Sequence, residues 1–252
     1  MKLINKIIIL TLLTSFTFLK AQERNNEFQF EAGVLYTQNM EIHGFNQANA
    51  TKGWSKQSPD LRLEYWSKNN NSWNYGLIFQ PLSLNYSGIL TSNLNYKGIV
   101  YKSGEAGHLK YQFPTLRFSS NYPLFSTNSG KDYLRLGVSI IVRYADVNLS
   151  TNTNSFNTTN LIALPLINLE ANKTLSNDYS LFTRADFLPS VDGSTLLDGL
   201  FDIFVGIKKI VNPKSNIDVG LRMFFGGYNP RKADDFANRI FYNAFVVRYS
   251  WQ

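Results

Sequence analysis

The feature that most constrains the fold is the last stretch of the chain, "NRIFYNAFVVRYSWQ", in which residue types alternate. One register contains Phe241, Phe245, Val247, Tyr249 and Trp251, and the other contains Tyr242, Ala244, Val246, Arg248 and Ser250. A period of two indicates a β-strand whose faces meet different surroundings. A terminal strand this apolar would promote aggregation in water. The pattern therefore predicts either a covered soluble core or a face that contacts something other than water.

The same alternation recurs along the chain in ten segments, and no helix-period pattern interrupts them. The clearest is "DYLRLGVSIIVRYADVNL". Its two registers are Leu134, Leu136, Val138, Ile140, Val142 and Tyr144 against Arg135, Gly137, Ser139, Ile141, Arg143 and Ala145. We therefore expect an all-β protein of about ten antiparallel strands, with 8–12 possible. The range is open because "NLNYKGIVYKS" can form an additional hairpin.

The N-terminus predicts export. Lys2 and Lys6 precede an apolar run that ends near Phe18, and Ala21 suits a cleavage site, so residues 1–21 read as a signal peptide and 22–252 as the exported domain. The alternative, an uncleaved anchor, is disfavoured because the run is shorter than the roughly 20 residues that a spanning helix needs.

Without residues 1–21 the basic residues number 22 against 18 acids, a diffuse excess that does not indicate nucleic acid binding. The sequence contains no cysteine, which excludes disulfides and thiolate chemistry.

The connections between the segments alternate in length. Those after the second, sixth and eighth segments, "SKNNNS", "TLSND" and "VNPKSN", are short, and "NYPLFSTNSGK" after the fourth is longer. Those after the odd-numbered segments are mostly long and polar, as in "HGFNQANATKGWSKQSP". Short turns at one end and long loops at the other are typical of transmembrane barrels, and an even strand count places both termini at the short-turn end.

Ionisable residues occupy the register opposite the apolar one, together with Gly, Ser and Ala. A narrow enclosed interior favours this mixture, since Arg and acids can pair there while small residues leave room. The predicted interior charges are Arg62, Glu64, Arg135, Arg143, Arg184, Asp186, Asp202, Lys208, Asp218, Arg222 and Arg248.

Taken together, the chain resembles the outer-membrane β-barrel proteins of Gram-negative bacteria. The resemblance is generic and identifies a class, not a specific family. The last strand of such proteins is apolar at alternate positions and ends on an aromatic, the signal read by the outer-membrane assembly machinery. Phe245, Val247, Tyr249 and Trp251 match this pattern, while Gln252 departs from it by placing the aromatic one residue from the end. The resemblance implies an up-and-down transmembrane barrel in the cell outer membrane, with membrane lipids and that machinery as partners.

Function is less constrained than fold. The first hypothesis is a structural, surface-binding or narrow-pore role, with an unidentified surface ligand for the long outer loops. The second is a small-solute channel lined by the interior charges. The third is an enzyme acting on lipid or peptide through His43 or His108, helped by an acid such as Glu41, Asp60, Asp192, Asp234 or Asp235. Neither histidine lies in a hydrolase motif, and we expect no cofactor and no metal site.

Overall fold

The computed structural model describes residues 25–44, 46–69, 72–127, 130–188, 199–228 and 236–252. The predicted signal peptide lies outside these ranges and stays a prediction. Within them, no helix is long and apolar enough to cross a membrane.

The described residues form fourteen strands: β1 (Asn25–Gly44), β2 (Lys56–Lys68), β3 (Asn74–Gln80), β4 (Ser83–Ile89), β5 (Leu94–Tyr96), β6 (Ile99–Tyr101), β7 (Ala106–Gln112), β8 (Thr115–Ser126), β9 (Tyr133–Thr151), β10 (Ser155–Thr174), β11 (Tyr179–Leu188), β12 (Leu200–Asn212), β13 (Ser215–Tyr228) and β14 (Phe236–Trp251). Ten of them form a closed antiparallel ring in the order β1-β2-β3-β8-β9-β10-β11-β12-β13-β14. The prediction of an all-β barrel of about ten strands is confirmed.

Pairing of the first strand with the last closes the ring. Phe28 lies opposite Trp251 and Val34 opposite Phe245, so β1 covers the edge that the terminal strand would otherwise expose. The start of β1, the end of β14 and the strand ends facing the connections β2–β3, β8–β9, β10–β11 and β12–β13 share one end, here called the turn end; the opposite end is the loop end. Closure leaves no free ladder edge between β1 and β14, so the last strand has no unpaired backbone edge there that could promote aggregation.

The alternating faces are placed as predicted over the central part of the barrel. On β14, Val247 is 43% exposed on the outer wall whereas Val246 is fully buried inside. Phe245, Tyr249 and Trp251 share the outer face. The wall of the barrel is therefore apolar outside and polar inside, the reverse of a water-soluble protein.

This polarity inverts near the loop end. On β9, outward apolar residues stop at Tyr144, and beyond it Ala145, Val147 and Leu149 face inward and are buried. From Leu134 to Tyr144 the outward apolar register covers eleven residues, close to the roughly 9–11 that a tilted strand needs to cross a bilayer. On one side of the inversion the apolar residues of β9 face outward, as in a membrane protein. On the other side they face inward, as in a water-soluble protein.

A folded lobe continues the wall beyond this inversion. Strands β4 and β7 pair with each other along their lengths, and β7 also pairs with the loop-end part of β9. Strands β5 and β6 form the hairpin that "NLNYKGIVYKS" suggested. Its two-residue turn places both Lys97 and Gly98 at positive φ, as a tight hairpin turn of type I′ requires.

Three sequence predictions need correction. The connection after the fourth segment is short, because β8 extends to Ser126 and pairs there with Tyr133. The connection after the fifth segment is also short, because β9 and β10 extend until Ser150 pairs with Ser155. The third concerns the segment from His108 to Ser119, in which the apolar register of the sequence changes at Pro114 and so predicts a β-bulge there.

The inward register in fact continues through Pro114 without a shift, from Tyr111 and Phe113 to Thr115. What changes at this proline is polarity. Apolar residues face inward before it and outward after it, so a shift of register and a shift of environment look alike in the sequence.

One seam interrupts the wall. Strand β2 pairs with β3 only from Leu63 to Ser67, and β4 has its ladder partner only in β7, so the part of β2 before Leu63 has no ladder partner on that side among the described residues. Pro59 and Pro81 border the gap, and neither can donate a backbone hydrogen bond. Two hydrogen bonds join the two sides among the described residues: the Ser58 hydroxyl donates to the Ser83 carbonyl at 3.2 Å, and Gln80 Nε2 donates to Asp60 Oδ1 at 2.8 Å.

The outer wall provides the first prediction. Leu221 is 61% exposed on the outer face between Val205 and Phe245. Leu221→Arg should lower the free energy of unfolding in a bilayer by about 2–4 kcal/mol, because the charge faces hydrocarbon. Leu221→Phe, the control, should fold like the parent protein. Urea titration in lipid vesicles measures both, and equal stability of the two variants would contradict the assignment of this face to lipid.

Candidate functional site

The most distinctive site is a network of ion pairs inside the barrel, with Asp202 at its centre. Asp202 on β12 accepts hydrogen bonds from Arg222 Nη1 (2.6 Å), Arg117 Nη2 (2.8 Å) and Arg62 Nη1 (2.9 Å). Arg222 also holds both carboxylate oxygens of Glu31, with Nε and Nη2 at 2.9 and 2.8 Å. Period-two alternation aims all these side chains at the axis, so charges from β1, β2, β8, β12 and β13 meet there.

The network also crosses the full width of the barrel. Arg184 on β11 donates from Nη1 to Glu64 on β2 at 2.5 Å, and these strands are diametrically opposed in the ring. Its Nε and Nη2 bind Glu170 at 2.9 and 2.7 Å, while Trp66 Nε1 donates to Glu64 at 2.7 Å. The side chains of Glu64, Arg184 and Glu170 are 0–3% exposed. The charged layer therefore fills the cross-section instead of lining an open conduit.

Two smaller ion pairs lie nearer the turn end. Arg248 Nε donates to Asp218 at 2.7 Å, and its guanidinium lies 4.6 Å from the ring centroid of Phe204. Lys68 Nζ donates to Glu27 at 2.9 Å. Lys208, half-buried, lies 4.4 Å above the ring of Phe182.

The structure places the predicted interior charges inside the barrel, but it does not bring all of them together. Ten are buried and Lys208 is half-buried; of them Arg62, Glu64, Arg184, Asp186, Asp202 and Arg222 join the network. Arg135 instead donates to the carbonyls of Asn69 and Ser72 at the turn end.

Several interior charges were not among the predicted ones. They are Glu27, Glu31, Asp60, Arg117 and Glu170. Each alternates along its strand with outward-facing neighbours. The period-two pattern alone therefore predicts that these side chains face inward.

An aromatic layer covers the network on its loop-end side. Phe113 lies 6.0 Å from Phe224 between ring centroids, and Phe224 stacks on Tyr242 at 5.1 Å. These rings belong to one buried apolar cluster that continues into the lobe. The interior is therefore ionic in its lower part and apolar in its upper part.

The two histidines are not brought together. His43 on β1 lies with Nδ1 3.0 Å from the Gly44 carbonyl, and neighbouring Glu41 pairs with Arg239. His108 on β7 lies with Nδ1 2.9 Å from the Ser87 hydroxyl, exposed on the lobe. No described carboxylate contacts His108.

The acids that were considered as partners are not positioned for this role. Asp60 is buried inside the barrel and accepts a hydrogen bond from Gln80. Asp192, Asp234 and Asp235 lie outside the described residues. The histidine hypothesis therefore retains one exposed Ser–His contact and no triad within the described part of the chain.

Over the described residues, the loop-end surface is basic. Five exposed lysines lie on the first loop, the start of β2 and the lobe: Lys52, Lys56, Lys97, Lys102 and Lys110. The acids beside them are Glu105 and Asp146, both half-buried, and Glu41, which pairs with Arg239.

This surface is also held rigidly. Trp54 packs flat against Gly88, where a Cβ would come within 2.4 Å of the indole nitrogen, and its Nε1 donates to the Ile89 carbonyl at 3.0 Å. The first loop and the lobe thus form one platform.

The turn end carries exposed lysines as well, namely Lys131, Lys173, Lys209 and Lys214, beside the acids Asp132 and Asp178. Asp132 accepts hydrogen bonds from Lys173 Nζ and from the backbone of Thr174, and these bonds hold the pKa of its carboxyl well below the usual range. This clamp is therefore present above the ordinary pKa of an aspartate and is retained until strongly acidic pH.

Comparison with solved structures addresses the fold. The outer membrane protease OmpT from Escherichia coli matches with a TM-score of 0.60 at 8% identity, over 92% of this chain and 99% of that chain. The chain has the fold of an outer-membrane β-barrel. Two further matches to outer-membrane-type barrels have TM-scores below 0.5. The translocator domain of the autotransporter NalP from Neisseria meningitidis gives 0.45 at 8% identity, over 98% of this chain and 94% of that chain.

Neisserial surface protein A gives a TM-score of 0.41 at 12% identity, over 91% of this chain and 99% of that chain. These identities are too low for the outer-membrane β-barrel fold to indicate a role. A scan of protein families gave no match, and a search of curated proteins found no relative.

The ion network of the barrel provides the second prediction. Asp202→Ala leaves three buried guanidinium groups without their shared acceptor, and we expect the free energy of unfolding to fall by about 3–5 kcal/mol. Asp132→Ala, which breaks a pair in which Lys173 is mostly exposed, should cost much less. Denaturant titration of both variants in the same detergent tests this. Similar losses would mean that the network does not act as a connected unit.

Proposed function

We propose that the protein is an integral outer-membrane protein whose loop-end surface binds anionic glycans, with lipopolysaccharide of the surrounding leaflet as the first candidate. The five exposed lysines on a rigid platform carry this proposal. Lysine side chains attract phosphate and carboxylate groups over several ångströms, and a rigid platform loses little conformational entropy on binding.

The fold supports location in the outer membrane. The apolar outer wall matches the length of a bilayer crossing, and the lobe beyond the polarity inversion is built as a water-exposed sheet. With the turn end in the periplasm, the basic platform would stand at the level of the lipopolysaccharide head groups. Fractionation of producing cells, followed by gel mobility before and after boiling, tests the location. Recovery in the soluble periplasmic fraction would contradict it.

A binding role is favoured over a conduit by the charged layer. The Arg184–Glu64 pair spans the barrel and its side chains are almost fully shielded from solvent. Ten strands also lie closer to the filled eight-stranded barrels than to the open porins of 16–18 strands. Solute passage would require this network to break.

The lysines provide the third prediction. Lys102→Glu together with Lys110→Glu should weaken binding of purified lipopolysaccharide to the refolded protein at least tenfold, and the loss should shrink at high salt because screening already weakens the parent interaction. The matched control, Lys209→Glu with Lys214→Glu, makes the same charge change at the turn end. Calorimetric titration measures the affinities. Equal losses in both double variants would mean that net charge, and not this surface, governs binding.

A further inference from the structure

One buried arginine differs from all the others in the barrel. Seven arginines are buried among the described residues: Arg62, Arg117, Arg135, Arg143, Arg184, Arg222 and Arg248. Five of them pair with carboxylates, and Arg135 donates to two backbone carbonyls. Arg143, only 4% exposed, contacts no carboxylate among the described residues, and its Nη1 donates no hydrogen bond.

An unpaired buried guanidinium is costly, because burial removes its hydration and nothing replaces it. Arg143 lies on the loop-end side of the ion network, where Ile141 precedes it and Ala145 follows it on the same inward register. Among the described residues, five of the buried arginines have a carboxylate partner and Arg143 has none.

The groups around Arg143 are those of a ligand site. Its guanidinium lies 5.8 Å from the ring centroid of Phe113, and the ring of Tyr111 lies 5.0 Å from the same Phe113. The Tyr111 hydroxyl is buried, has no hydrogen-bond partner and lies within electrostatic range of Arg143. The guanidinium of Arg143 and the ring of Tyr111 therefore both lie against Phe113.

We propose that the loop-end half of the barrel interior binds an organic monoanion with an apolar body, a carboxylate held by Arg143 and the Tyr111 hydroxyl. The planar fork of Arg143 matches a carboxylate. Its single charge balances one negative charge, whereas a phosphate monoester would bring an excess. The aromatic layer of Phe113, Phe224 and Tyr242 receives the apolar body. This inference goes beyond the surface role and does not depend on it.

The seam between β2 and β4 gives such a ligand a route from the side. Along the seam, no ladder hydrogen bond between the described parts of these strands has to break, and the contacts to open are Ser58–Ser83 and Gln80–Asp60. Leu61, Pro59 and Pro81 are exposed on its outer border, and Leu82 and Leu84 are buried just behind it. An amphiphile in the membrane meets an apolar outer border there, with the Gln80–Asp60 pair on its inner side.

Sodium decanoate and its neutral counterpart 1-decanol test the site on the full chain refolded in nonionic detergent. Decanoate should bind at least tenfold more tightly than decanol and should raise the unfolding temperature. Arg143→Met should remove both effects, and Arg135→Met, on the same inward face of β9, should keep them. Decyl phosphate, whose head group carries the excess charge on a chain of matched length, should bind more weakly than decanoate. Equal binding of decanoate and decanol, or unchanged binding by Arg143→Met, would overturn the proposal.

Stability without ligand gives an independent readout. Since Arg143→Met removes an uncompensated charge, the unliganded variant should unfold at a higher temperature than the parent protein. A lower temperature would show that Arg143 is already satisfied by the protein and would overturn the proposal.

For the route, Ser58→Cys with Ser83→Cys introduces the only cysteines of the chain. Oxidation should slow decanoate binding and reduction should restore it, while an unchanged rate in the oxidised protein would overturn the lateral route.

Discussion

Closure of the sheet by β1 and β14 is the constraint on which the rest of the structure depends. A strand in hydrocarbon has no water to satisfy its backbone, so its hydrogen bonds must come from neighbouring strands on both sides. Once Val34 pairs with Phe245, every strand of the ring gains an inner and an outer face. Alternation then forces apolar residues outward and gathers the polar residues into a narrow interior, where they must satisfy each other.

The side chains of the barrel interior are satisfied in two different ways. Near the turn end and the centre, Arg and acids saturate each other, with Asp202 serving three guanidinium groups. Buried ion pairs add little net stability compared with apolar packing, but the loss of one partner is severe. Nearer the loop end, aromatic and aliphatic side chains take over, and the lobe extends this packing past the membrane. The uncompensated Arg143 lies close to the boundary between these two solutions.

Much of the fold follows from the sequence because period-two alternation is a local signal. The strand count, the outward facing of Val247 and the inward facing of Arg248 all come from it. The signal does not say which face meets water, and this explains the error at Pro114, where the apolar residues change sides while the register continues. Strand length was also underestimated, since β9 and β10 continue through residues of polar composition that pair only because their neighbours extend with them. The unpaired state of Arg143 depends on which side chains meet across the barrel, and no local pattern contains that.

The charged layer divides the barrel interior across its width. Because Arg184 and Glu64 join opposite walls, the apolar packing on the loop-end side of this pair is separated from the turn end. A molecule that reached the loop-end half would have to leave by the route through which it entered. Passage from one end of the barrel to the other would require these ion pairs to break, and the loss of one partner of a buried pair typically costs about 3–5 kcal/mol.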